Sequence, residues 1–251
     1  MQKHIPVIVC IVLALFFLVS CQKQEESGQH TVLEKGEIVI LLHGLSRSDR
    51  SMREMEKNLS RKGYHVINID YPSAKHTIQF IADEMLSTVI ERNGNTPPLK
   101  IHFVTHSMGG IVIRYYLKNN SLSNLGRVVM ISPPNQGTEL VDYLNNSRIF
   151  GKFNTPAGRQ LGTGKNSLPL SLGPVDFELG VIAGNRSFNP LYSWILPGPD
   201  DGVVSVERTK VAGMKDFIVL PYSHTFIMHR DDVIKQVIHF LEHGAFMRKG
   251  S

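Results

Sequence analysis

Ser107 is the residue around which the chemistry of this sequence can be organised. It stands in residues 101–113, I-H-F-V-T-H-S-M-G-G-I-V-I, where an apolar run ends in a turn and gives way to two glycines and a helix-like apolar pattern. A serine at that junction is pushed out on a tight strand-to-helix bend, with its hydroxyl exposed at the end of a sheet and its backbone N–H at a helix start. Such a hydroxyl suits a nucleophile that must approach a carbonyl carbon without side-chain obstruction. The chemistry to expect is acyl transfer through serine.

A serine hydroxyl is a weak nucleophile until a base takes its proton and a third group orients that base. The histidines to consider are His43, His102, His106, His224 and His229, and the carboxylates are the adjacent pair Asp200-Asp201 in front of Gly202. Spacing alone does not separate the two aspartates. His102 lies in a buried apolar run and reads as a satisfied core or edge histidine. His106 reads as pointing away from the turn that carries Ser107. His229 falls within or at the entry of the last helix and is the main rival to His224. His239-Phe240-Leu241-Glu242-His243 fits H-x-x-E-H, which can place two zinc-binding histidines on one helical face. It lies eight residues from the C-terminus with no carboxylate after it, and reads instead as the charged outer face of a closing helix.

The elements that must position these groups follow from residue 37 onward, where short apolar runs alternate with helix-like stretches, the signature of a parallel sheet flanked by helices. Strands are expected at 38–42, 65–70, 100–105, 127–131, 177–183 and 216–220, rich in Val, Ile and Leu with little alternation, as in strands buried on both faces. Helices are expected at 51–62, 77–93, 109–118, 138–144 and 231–243. In the second, Ile78, Ile81, Met85 and Val89, with Phe80 beside them, recur at three- and four-residue steps as one buried stripe. Asn93-Gly94 and Pro97-Pro98 stop it. Two longer segments break the rhythm. Residues 145–175 are rich in glycine and proline and fit no regular element. Residues 185–202 carry Phe188, Leu191, Tyr192 and Trp194 among prolines and glycines. Long loops in a compact domain often serve as lids or substrate walls, and plain surface connections are the alternative for both segments.

From about residue 37 to 243 the chain resembles the α/β-hydrolase lipases and esterases, including bacterial EstA- and LipA-type proteins and the GPI-inositol-deacylase-like group. The resemblance rests on L-L-H-G-L at 41–45, T-H-S-M-G at 105–109, and D-D-G-V-V at 200–204 followed by S-H-T at 223–225. Nucleophile, acid and histidine stand in the chain order of that fold. The family's G-x-S-x-G has Thr105 here in place of its first glycine. The resemblance implies an α/β-hydrolase fold over residues 35–246, with a mostly parallel central sheet and a loop-rich cap at 145–175. It implies Ser107 as nucleophile, His224 as base in the loop entering the last helix, and Asp201 as acid, with Asp200 the rival. The backbone N–H groups of Leu45 and Met108 would form the oxyanion hole, and His43 would shape its loop. No cofactor and no metal is implied. The substrate would be an acyl ester, a small molecule or a lipid. Leu140, Val141, Leu144 and Ile149 give only a weak apolar face for a lid, which favours a soluble or short-chain ester. Two other readings stay open. The same triad could pass its acyl group to another acceptor or cleave a thioester or amide, or the chain could be a non-catalytic binding lipoprotein.

The 251 residues suffice for one large α/β domain, and the 42% hydrophobic content is ordinary. Part of it lies at the N-terminus. Lys3 precedes an apolar stretch at 5–19, too short for a bilayer span but fitting a secretory signal. The ending Leu18-Val19-Ser20-Cys21 resembles the lipobox of bacterial lipoproteins, which implies cleavage before Cys21 and acylation of its thiol. Residues 1–20 would then be the signal, 21–34 a polar tether, and the mature protein an exported, membrane-anchored lipoprotein. Gln22 after the cysteine points to the outer membrane of a Gram-negative bacterium, facing the periplasm. The other cysteine, Cys10, lies inside the removed segment, so no disulfide is expected. The net charge of +5 is spread without a block of like charges, which argues against a nucleic-acid partner.

Overall fold

The computed structural model describes residues 36–94, 100–145, 154–165 and 167–248. The signal-like run, Cys21 and the tether lie outside the described residues, as do 146–153 and 166 of the 145–175 segment. Among the described residues, no helix is long and apolar enough to cross a membrane.

Six strands form one sheet, β1 Ile38–Leu42, β2 His65–Ile69, β3 Ile101–His106, β4 Leu125–Ile131, β5 Leu179–Gly184 and β6 Asp216–Leu220. They lie in the order β2-β1-β3-β4-β5-β6, and every pairing is parallel. All six expected strands are present, with ends shifted by at most two residues. A parallel strand covered on both faces can be apolar throughout, and β1, β3 and β5 are buried at every position. Strands β2 and β6 are the edges and are only partly covered.

Alternate side chains feed two cores. Ile38, Ile40 and Leu42 of β1, with Phe103, Val128, Met130 and Val181, face one layer. That layer holds helix α2 at 78–94 and α3 Met108–Asn119. Val39 and Leu41, with Val104, Val129, Ile131 and Ile182, face the other, formed by α1 Arg53–Arg61 and a later helix, Asp231–His243. This three-layer arrangement, helix on sheet on helix, matches the expected fold class.

Helix α2 corrects the expected stripe. Its middle, Ile81–Leu86, is π-helical, between α-helical turns at Ile78–Phe80 and Ser87–Gly94. The i→i+5 bonding of a π turn adds residues per turn, so positions four apart stay on one face. Ile78, Ala82, Leu86 and Ile90 are accordingly buried beside Ile81, while Met85 and Val89 are half-buried. Phe80 is 43% exposed and stacks on His76 instead of joining the core.

The remaining helices are α4 Glu139–Asn145, α5 Leu168–Ser171, α6 Pro190–Ile195, α7 Val206–Thr209 and α8 Asp231–His243. The described part of the 145–175 segment therefore holds more regular structure than expected from sequence, since it also contains a 3₁₀ turn at Gly158–Leu161. α4 is a packed helix, its Leu140 and Leu144 buried against Leu196.

Candidate active site

Parallel strands put all their C-terminal ends along one edge, and ligands in such sheets bind there, where the strand order reverses. In this chain that point lies between β1 and β3. The loop after β1 carries Leu45, the turn after β3 carries Ser107, the segment after β5 carries Asp201, and the loop after β6 carries His224.

Ser107 caps α3 with φ 55° and ψ −125°. A side-chain-bearing residue in this region is strained by about 1–3 kcal/mol, a cost tolerated where the surrounding structure over-determines it. Three features hold it there. The Ser107 N–H donates to Ile131 O at 2.9 Å, anchoring the turn to β4. Gly109 lets α3 press on β1, since a Cβ there would lie 2.6 Å from Leu42 O. Gly44 leaves room on the other side, as its Cβ would sit 3.1 Å from both Ser107 Cβ and His106 Nδ1. Thr105 is wholly buried and fits the bend in place of the family glycine. The other described non-glycine residues with positive φ are also serines after strands at this edge, Ser46 and Ser132.

His224 Nε2 lies 2.9 Å from Ser107 Oγ, and His224 Nδ1 lies 2.8 Å from Asp201 Oδ2. The other Asp201 oxygen accepts the Val203 and Val204 N–H groups at 3.0 and 2.8 Å, which fixes the carboxylate plane. The His224 N–H also donates to Asp201 O at 2.9 Å. Asp200 faces elsewhere, its Oδ1 accepting from Gly202 N–H at 2.7 Å and Ser193 Oγ at 3.0 Å. Of the two adjacent aspartates, Asp201 is thus the one that meets the histidine. His229, the other candidate base, is exposed on a short 3₁₀ turn.

The two expected oxyanion donors belong to the loop after β1 and to the residue after the serine. Met108 opens α3, so its N–H has no carbonyl one turn back. Leu45 N–H donates to no other group among the described residues, and Leu45 lines the cleft. The loop before it is braced by His43, which is fully buried. His43 Nδ1 donates to Gly44 O at 2.9 Å, its ring stacks on Tyr71 at 4.0 Å, and the Tyr71 hydroxyl donates to His43 O. Burial pushes the His43 imidazole below the ordinary histidine range, so it serves here as a neutral spacer.

His106 does more than its sequence position indicates. It does not contact Ser107 Oγ, but it is buried beneath the site and its Nε2 donates to His224 O at 3.0 Å. Burial, followed by the neighbouring His224 charge, holds this imidazole well below the usual range, so it stays neutral. His102 is a buried histidine whose Nδ1 accepts the Arg127 N–H at 2.8 Å, away from the serine. On α8, His239 Nδ1 donates to Ala245 O at 2.7 Å.

The cleft over Ser107 is narrow, with a cavity volume of about 60 Å³. Val141, Leu161, Val203, Val204, Leu45 and Pro134 give it an apolar wall. Leu161 comes from the segment read as a cap, and Val141 from the helix read as a weak lid. A buried polar brace holds this wall. Arg114 Nη1 donates to Asn135 O at 2.8 Å and Nη2 to Gly173 O at 2.6 Å, while Asn135 Nδ2 donates to Thr209 O at 2.8 Å. Burial pushes the Arg114 guanidinium down to about 10, so it is still charged at neutral pH. In the 185–202 segment, Tyr192 packs with Leu140 and Leu196, whereas Phe188, Leu191 and Trp194 are exposed, Trp194 by 81%.

Solved structures that this chain resembles include lipases and esterases. It superposes on the propeptide form of Bacillus licheniformis lipase BlEst2 with a TM-score of 0.70 at 19% identity, over 87% of this chain and 53% of that one. For the mature form the TM-score is 0.64 at 19% identity, over 80% and 88%. Phospholipase PlaB from Legionella pneumophila gives 0.60 at 20% identity, over 75% and 53%. A lipase-esterase related protein from Clostridium acetobutylicum gives 0.56 at 15% identity, over 83% and 97%. The chain therefore spans about half the length of the propeptide-form lipase and of PlaB. The fold is the α/β-hydrolase fold of bacterial lipases and esterases. Within it, the chain belongs to the family described as a domain of unknown function, DUF7379, whose model matches residues 17–167. No curated protein matches it in sequence.

Proposed function

We propose that this protein is a serine ester hydrolase working through an acyl-enzyme. The observation that carries the reading is the unbroken contact chain Ser107 Oγ to His224 to Asp201 at the floor of an apolar-walled cleft. The names of its structural neighbours, lipase, phospholipase and esterase-related protein, point the same way. With the proton of His224 on Nδ1, facing Asp201, Nε2 is free to accept the Ser107 proton as Oγ attacks an ester carbonyl. The carbonyl oxygen becomes an oxyanion between the Leu45 and Met108 N–H groups, each such donor contributing roughly 10²–10³ in rate. His224 then protonates the leaving alcohol, leaving the acyl group on Ser107. Water, deprotonated by His224, attacks that acyl-enzyme and regenerates the serine. The expected result is stoichiometric labelling by a fluorophosphonate probe, together with hydrolysis of p-nitrophenyl esters across a chain-length series. A folded protein that neither reacts with the probe nor cleaves any ester in the series would refute the reading.

We further propose that the domain acts at a membrane surface, exported and tethered through lipid on Cys21. The motivation is the sequence L-V-S-C after a signal-like apolar run. The mature N-terminus is expected by mass spectrometry to be an acylated Cys21, and Cys21→Ser to remove that acylation. Each acyl methylene buried in a bilayer contributes about 0.8 kcal/mol, so two or three chains would hold the domain in the membrane fraction. An unmodified Cys21 in the mature protein, or cleavage at another site, refutes the tether.

A further inference from the structure

We infer that the cleft is built for esters that carry an anionic group, a phosphate or carboxylate, and that Arg47 receives that group. The inference rests on the ester-hydrolase reading above and names its substrate class. Arg47 follows the oxyanion loop by two residues and lines the same cleft as Ser107 and His224. Its backbone is fixed there, the Arg47 N–H donating to Gly44 O at 3.2 Å and the preceding Ser46 N–H to Ser73 Oγ at 2.9 Å. Arg47 is half-buried, and its charge is felt by His106 under the site and by His229.

Among the described residues this guanidinium has no hydrogen-bond acceptor and no carboxylate within ion-pair distance. The other arginines that are not fully exposed all have acceptors. Arg114 holds Asn135 and Gly173, Arg127 holds Glu178, and Arg208 holds Glu139. The nearest carboxylate in sequence, Asp49, is shared with Arg53 at 3.5 Å. A partly desolvated cation without a partner is costly, and a planar guanidinium is shaped to hold carboxylate or phosphate oxygens in pairs. Among the described residues that line this cleft, Arg47 is the only cation other than histidine, facing walls that are otherwise apolar or hydroxylic. The pairing of an apolar wall with a single unpaired guanidinium fits an ester with an apolar acyl chain on one side and a charged group on the other.

The test compares 1-octanoylglycerol with 1-octanoylglycerol-3-phosphate, two esters with the same acyl chain, below their aggregation concentrations and at low salt. A second pair, the p-nitrophenyl monoester of glutaric acid set against p-nitrophenyl butyrate, asks whether a carboxylate on the acyl side is received as well. The wild type is expected to favour the phosphate-bearing glycerol ester by about tenfold or more in kcat/KM, an advantage that high salt reduces. Arg47→Gln should bring that ratio close to one and Arg47→Lys should retain part of it, since lysine keeps the charge but not the paired geometry. Arg50→Gln, which removes an exposed charge nearby, should leave the ratio unchanged. A preference for the glutarate monoester alone moves the anionic group to the acyl side with Arg47 still its receiver. Hydrolysis of the neutral esters with no preference for either anionic one, or a preference that survives Arg47→Gln, overturns the inference while leaving the hydrolase reading intact. Loss of all ester hydrolysis in the wild type would instead overturn the hydrolase reading beneath it.

Discussion

Ser107→Ala is expected to lower turnover on activated esters by about 10⁶ and to abolish fluorophosphonate labelling. The size follows from the way a nucleophile and its base work as a unit. Removing the hydroxyl leaves His224 Nε2 with nothing to deprotonate, and the residual rate is what binding and two oxyanion donors supply without a nucleophile. Among the described residues the hydroxyl's hydrogen bond is to His224 alone, and alanine bears the same positive-φ strain as serine. The variant should therefore melt within a few degrees of the wild type. Steady-state kinetics with a thermal melt checks both halves. Retention of most activity by a folded Ser107→Ala protein would remove Ser107 from the mechanism.

Much of this arrangement was legible in the sequence because it is local. β1 and β6 coincide with their apolar runs, and α8 with a 13-residue amphipathic stretch, since long periodic segments reveal which face they bury. Ser107 stood out for the same reason, at a strand end followed by two glycines. What escaped was too short for a period or depended on distant chain. α5, α6 and α7 have four to six residues each, fewer than two helical turns. The π turn in α2 changes the period itself, which moved the buried stripe from Met85 and Val89 to Leu86 and Ile90. The role of His106 depends on a carbonyl 118 positions away, and the brace of Tyr71 on His43 spans 28 positions. Arg47 carried no signal at all. Its interest comes from the absence of a carboxylate around it among the described residues, which only the folded chain reveals.

Spacing could not choose between Asp200 and Asp201, because adjacent residues of one type share every spacing, and only the resemblance favoured Asp201. The contact with His224 separates them, and the backbone donors on Asp201 set the second large expectation. Asp201→Asn should lower turnover by roughly 10⁴ with little change in fold. The Oδ1 position accepts two backbone N–H groups, from Val203 and Val204, so the amide oxygen of asparagine settles there. Its NH₂ is then turned toward His224 Nδ1, which must accept rather than donate. The imidazole proton is driven to Nε2, where it faces Ser107 Oγ and blocks proton transfer. Asp200→Asn meets no such conflict. Its oxygen still accepts the Gly202 N–H and the Ser193 hydroxyl, so activity should change by no more than a few fold. The two variants differ by one position in an identical local sequence, which removes net charge as an explanation for any gap between them. Measured kcat/KM values in the reverse order would assign the acid to Asp200 and require the segment 200–204 to turn over when substrate binds.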